Sequence, residues 1–124
     1  MTRLCTLVLA LITAGLGAQA AHADTYPVSG FWTYDNASDR GPSVTCGRRT
    51  MEFQGAQRFD KVGGVSQYRN VSVGQSSPTA FDVVDEFFNV MIRGRVQYTL
   101  HIIDKDHIVL RLARGGDIAL RRCA

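Results

Sequence analysis

Between Phe88 and Ile102 the chain alternates with a period of two residues. Phe88, Val90, Ile92, Gly94, Val96, Tyr98, Leu100 and Ile102 hold one phase, while Asn89, Arg93, Arg95, Gln97, Thr99 and His101 hold the other. Successive side chains of a strand point to opposite faces, so the pattern describes a strand with one apolar and one wet face. The run exceeds the usual strand length of about 5–6 residues, and a glycine inside it, Gly94, marks a bend, a bulge or a barrel corner. Short connectors rich in Asp and Gly follow, "DKDH" at 104–107 and "RGGD" at 114–117, and each leads into another β-patterned segment, "IVLRLA" and then "IALRRC". Such spacing is that of hairpins, and it predicts a three-stranded antiparallel meander at the C-terminal end.

Nothing after residue 24 sustains helical spacing of apolar residues. Further candidate strands are Gly30–Asp35, Thr50–Gly55, Gln57–Val62, Ser66–Gly74 and Phe81–Phe87, separated by polar segments such as "NASDRGPS" and "GQSSPT". The segment "VVDEFF" at 83–88 reads either as strand or as one helical turn closing a barrel end. The expectation is an all-β, single-domain fold: a small antiparallel β-barrel of about eight strands. A barrel is favoured over a sandwich because closure removes exposed strand edges.

The N-terminus carries one basic residue, Arg3, then an uncharged stretch from Leu4 to Gly17, then small residues ending in Ala21-His22-Ala23. This is the layout of a cleaved signal peptide, and the apolar stretch is short of the roughly 20 residues of a membrane-spanning helix. Residues 1–23 are therefore expected to be the signal peptide and 24–124 the β-barrel domain, periplasmic or secreted, with no transmembrane segment in the mature protein. Cys5 leaves with the leader. Cys46 and Cys123 remain, and an even pair in an oxidising compartment predicts a disulfide.

Without Arg3 the chain holds 13 basic and 11 acidic residues, too balanced for the basic stripe of a nucleic-acid binder. Arginine supplies 11 of those 13, a bias that base composition of a genome also produces. Catalytic constellations are absent from the pattern. Ser76 and Ser77 do not sit in a nucleophile elbow, His101 falls on the wet phase of a strand, and His107 lies in a turn. Asp82, Asp85 and Glu86 form an acidic cluster, yet adjacent strand residues point apart. Asp104 and Asp106 lack the calcium-loop pattern and read as solvated turn acids. No metal site and no cofactor is expected. Asn36-Ala37-Ser38 and Asn70-Val71-Ser72 match the N-glycosylation triplet.

Gly30-Phe31-Trp32, with the only tryptophan of the chain, opens the first strand. A Gly-x-Trp there, ahead of about eight antiparallel strands, resembles the lipocalin or calycin superfamily. The resemblance implies that Trp32 closes one barrel end and that an arginine from the last strand packs over its ring. Arg122, in phase with Ile118 and Leu120, is the expected arginine, pointing inward, and the contact is of the cation–π type. The architecture is also similar to the bacterial periplasmic inhibitors of C-type lysozyme, whose Ser-Gly-x-x-Tyr segment is echoed by Ser66-Gln67-Tyr68. The expected function is binding without catalysis: a small apolar ligand in a mouth lined by Trp32, Tyr34 and Tyr98. The alternative is a partner protein, with loop 36–49 and its Arg40, Arg48 and Arg49 entering a lysozyme or protease. A filled interior is the competing picture for the barrel, with Trp32, Phe53, Phe59, Tyr98 and Leu100 as fillers.

Overall fold

The computed structural model describes residues 25–35, 45–61 and 63–124. The signal-peptide reading, Arg40 and the Asn36 triplet lie outside the described residues. Eight strands follow in order: β1 Gly30–Tyr34, β2 Thr50–Gln54, β3 Gln57–Asp60, β4 Gln67–Ser77, β5 Ala80–Asn89, β6 Ile92–Asp104, β7 His107–Leu112 and β8 Asp117–Arg122. Each pairs antiparallel with the next, and β8 closes on β1, with Trp32 opposite Arg122 and Tyr34 opposite Leu120. The protein is thus a closed eight-stranded antiparallel barrel, compatible with a lipocalin-like architecture. "VVDEFF" is strand throughout. No helix among the described residues is long and apolar enough to cross a membrane.

Up-and-down order puts successive turns at opposite ends. The lower end holds residues 25–29, the turns at 55–56, 78–79 and 105–106, and the C-terminus. The upper end holds the turns at 90–91 and 113–116 and the strand ends from which the β1–β2 and β3–β4 connections leave. In the lower turn between β2 and β3, Gly55 takes φ +61°, a left-handed backbone for which glycine carries no steric penalty.

The inward phases pack Trp32, Met51, Phe53, Val83, Tyr98, Leu100, Ile108, Leu110 and Leu120 into one core. Small barrels fill their interiors with side chains in this way. Trp32 is 0% exposed, and its Nε1 donates to the Ser29 carbonyl at 3.1 Å. The Arg122 guanidinium lies over the indole at 4.5 Å and donates to the Ser29 and Lys105 carbonyls at 3.3 and 3.1 Å. Arg122 keeps the inward strand phase expected for it, opposite Trp32 and two residues from buried Leu120, and its half-exposed side chain caps the lower end over the indole. Gly30 has φ +87°, so the glycine of Gly-x-Trp is needed for the backbone. Cys46 and Cys123 form a disulfide that ties the β1–β2 connection to the end of β8.

Two expectations about facing are corrected. The apolar phase of the long run holds from Gly94 to Ile102 but fails at Phe88, Val90 and Ile92, which are exposed. The run is two strands joined at Val90-Met91, and that hairpin extends past the barrel wall. Phe59 faces away from the core. Cross-strand partners share a face, and the register sets Phe53 opposite Arg58 and Met51 opposite Asp60, which turns Arg58 and Asp60 inward. Gly94, expected at a bend, a bulge or a barrel corner, lies in a β5–β6 ladder without a register shift, and a Cβ there would lie 2.6 Å from Cζ of Phe87.

Candidate functional site

Inside the barrel β3, β4, β5 and β6 converge on one carboxylate. Asp85 shares the inward phase of β5 with Val83 and is 0% exposed. It accepts hydrogen bonds from Tyr26 Oη at 2.8 Å, Arg58 Nε at 2.9 Å, Tyr98 Oη at 2.9 Å and Asn70 Nδ2 at 3.1 Å. A buried charge persists only when paired and hydrogen-bonded, and here both carboxylate oxygens are occupied. Arg58 continues the network: its Nη1 is 3.9 Å from Asp60 Oδ2, and Tyr34 Oη donates to the same oxygen at 3.5 Å. Its guanidinium also stacks against the Tyr68 ring at 3.9 Å and lies 5.3 Å from that of Tyr98.

Burial pushes the Tyr26 phenol far above its ordinary range, and the adjacent Asp85 pushes it further. Burial does the same to Tyr98, where Arg58 pulls down and Asp85 pushes up. Burial opposes the Arg58 charge, but Asp85, bonded to its Nε at 2.9 Å, outweighs it and the guanidinium is held protonated. Both phenols therefore remain neutral donors. A carboxylate with four donors and no solvent contact suits structural support better than proton transfer.

The three residues expected to line a ligand mouth do not meet around an opening. Trp32 is sealed under Arg122 near the lower end, Tyr98 is buried on Asp85, and Tyr34 is half-buried beside Asp60. Asn70 is buried with its amide directed to Asp85 and to the Ser72 and Val84 carbonyls, so it presents no glycan acceptor. Asp104 and His107 meet in the β6–β7 turn at 2.8 Å, where the His107 hydrogen bond and the Asp106 amide hold the Asp104 carboxyl below the usual carboxylate range. Among the described residues no group of three or more His, Cys, Asp or Glu side chains converges as a metal site would require.

An open groove of about 540 Å³ lies toward the upper end, over β4, β5 and the start of β6. Tyr68 and Phe87 meet edge to face at 5.8 Å in its lining. Phe88 adds a third ring, Arg69 and Arg93 supply cationic groups, and Gln67 and Glu86 complete it. Arg69 is 3.8 Å from Glu86, and Arg93 lies over Phe88 at 5.8 Å. Tyr68 connects the two features, lining the groove while its ring covers buried Arg58.

Sequence reasoning passed over Arg58 and Asp60, named Tyr68 only within the Ser66-Gln67-Tyr68 echo, and weighed Asp85 only as part of an acidic cluster. The signal was present: across the two-residue turn Gly55-Ala56, the phase of Met51 and Phe53 continues into Arg58 and Asp60. No family model, curated protein or solved structure matches this chain.

Proposed function

We propose that this protein binds a small amphipathic molecule, without catalysis, in the groove of Tyr68, Arg69, Phe87, Phe88 and Arg93. The observation that carries the reading is the pairing of three aromatic rings with two guanidinium groups in one open groove. Rings receive an apolar body, and arginine recognises a carboxylate or phosphate by forked hydrogen bonds. The reading moves the expected apolar ligand out of the barrel interior, because Trp32 and Tyr98 are already committed to packing and to Asp85. Export fits the Cys46–Cys123 disulfide, which an oxidising compartment maintains. Kinship with the lipocalins is part of the proposal and is supported by the Trp32–Arg122 stack at the strand ends.

Calorimetric titration with dodecyl phosphate below its micelle concentration tests the reading. Saturable binding at one site, weakened by R69Q and R93Q and lost in F88A, is the expected result. Equal binding by all variants, or none by the wild type, rejects it.

A second reading, inhibition of a lysozyme or protease, draws on Arg48 and Arg49, which are exposed beside the disulfide-anchored Cys46. Inhibition assays with such enzymes, repeated with R48Q/R49Q, separate it from the first.

A further inference from the structure

The tip of the β5–β6 hairpin is apolar where a turn is ordinarily polar. Phe88, Val90, Met91 and Ile92 are 69%, 87%, 91% and 63% exposed. Among the described residues the other large exposed hydrophobics, Phe31, Ile103 and Leu112, are scattered singly, and isolated exposed apolar residues are ordinary. Four within five positions are a patch.

The backbone carries a second, independent observation. Val90 has φ +22°, and no other non-glycine among the described residues has positive φ. Hairpin turns fill such positions with Gly, Asn or Asp, and a β-branched residue there is strained. Solvent and backbone both disfavour valine at this site, and strained residues that persist cluster at functional surfaces.

Charge identifies the partner. No acidic residue occurs from Phe87 to Ile103, Arg93 and Arg95 follow the tip directly, and Glu86, opposite Arg95, lies 3.8 Å from Arg69. Arg93 and Arg95 are exposed, and among the described residues neither belongs to a salt bridge. An apolar tip with cations just behind it matches an interface where acyl chains lie beneath anionic headgroups. A second copy fits poorly, because a two-fold contact tip to tip would set these arginines against their own copies.

We propose that this hairpin tip docks the barrel onto an anionic phospholipid surface. Val90, Met91 and Ile92 enter the acyl boundary while Arg93 and Arg95 meet lipid phosphates. The inference goes beyond the groove reading and does not require it: Phe88 and Arg93 are shared with the groove, but Val90, Met91, Ile92 and Arg95 lie outside it.

Flotation of the protein, as exported by its expression host, tests this with vesicles of phosphatidylcholine alone and of phosphatidylcholine and phosphatidylglycerol in equal parts. The wild type is expected to float with the mixed vesicles only, and less so at high salt. M91D should lower partitioning roughly tenfold or more, given the apolar area withdrawn. R93Q and R95Q should each lower it roughly fivefold, the effect of one surface cation near anionic lipid. V90G provides a readout that general damage would not mimic: partitioning falls while the thermal midpoint rises, because glycine relieves the turn. Equal flotation with both vesicle types, no flotation, or unchanged binding by M91D overturns the proposal. So does lipid-independent dimerisation abolished by M91D, which would assign the tip to a second copy. Loss of dodecyl phosphate binding with flotation intact would count against the groove alone.

Discussion

Replacing Asp85 by Asn keeps the side chain's shape and removes its charge. The Arg58 guanidinium then remains inside the barrel with Asp60 as its nearest carboxylate, at 3.9 Å in place of 2.9 Å. Removing one partner of a buried ion pair costs about 3–5 kcal/mol, chiefly because the surviving charge is left uncompensated. Domains of this kind have about 5–15 kcal/mol in total. With a urea m-value of about 1.5 kcal/mol/M, the midpoint should fall by about 2–3 M. Trp32 is the only tryptophan and is fully buried, so its emission reports unfolding directly. R58M should be destabilising to a similar degree because it strands Asp85. If the two residues act as a unit, R58M/D85N will be less destabilised than the sum of the single variants by about 1–3 kcal/mol. A D85N loss below about 1 kcal/mol, or strict additivity in the cycle, would refute the reasoning that makes this pair the internal support of the barrel.

Alkaline pH should unfold the protein cooperatively. Tyr26 and Tyr98 have raised phenol pKa values in the fold, so their contribution is complete below the ordinary phenol pKa of about 10 and declines above it. Above that pH the unfolded chain has released protons the folded chain still holds, and stability falls by about 1.4 kcal/mol per pH unit for each phenol. Phenolate absorbance appearing together with the tryptophan shift would agree, whereas full tyrosine ionisation in a folded barrel would not. G94A should lose about 1–3 kcal/mol because Phe87 must move from its 2.6 Å overlap with the new Cβ. The same change should weaken dodecyl phosphate binding, since Phe87 lines the groove. R122A should lose about 0.5–2 kcal/mol from the Trp32 stack alone, and R122K should recover only part of it, because a lysine lacks the planar group that stacks and forks.

The features legible in the sequence were those expressed as local period or as a scarce residue. Alternation in β6 from Gly94 onward, the short Asp/Gly turns and the two remaining cysteines led to the barrel and to the Cys46–Cys123 link. Gly30, Trp32 and Arg122 were found because a Gly-x-Trp ahead of the strands resembles the lipocalin pattern, and that resemblance implies an arginine of the last strand over the ring. Long-range pairing was harder to read. Arg58 and Asp85 are 27 positions apart and meet only because β4 lies between their strands with a defined register. A composition rule that puts charge outside and Phe59 inside failed because the tight turn at Gly55 locks β3 in the phase of Phe53 and Met51. The groove escaped for a related reason: it is assembled from the outer ends of three strands, and no local pattern marks it. The exposed Phe88, Val90 and Ile92 were assigned to a buried face because period alone does not say where a strand leaves the barrel wall.

The central claim is that the barrel interior is sealed by its own residues and that ligand is taken at the upper groove. Amide and indole chemical shifts of isotopically labelled protein, followed during titration with dodecyl phosphate monomers, test it directly. The account predicts shifts confined to Gln67–Arg69, Glu86–Phe88 and Arg93, with the Trp32 indole N–H unmoved in its bond to Ser29. Movement of the Trp32 indole and of Tyr98, with the groove amides unchanged, would contradict it and place the ligand inside the barrel.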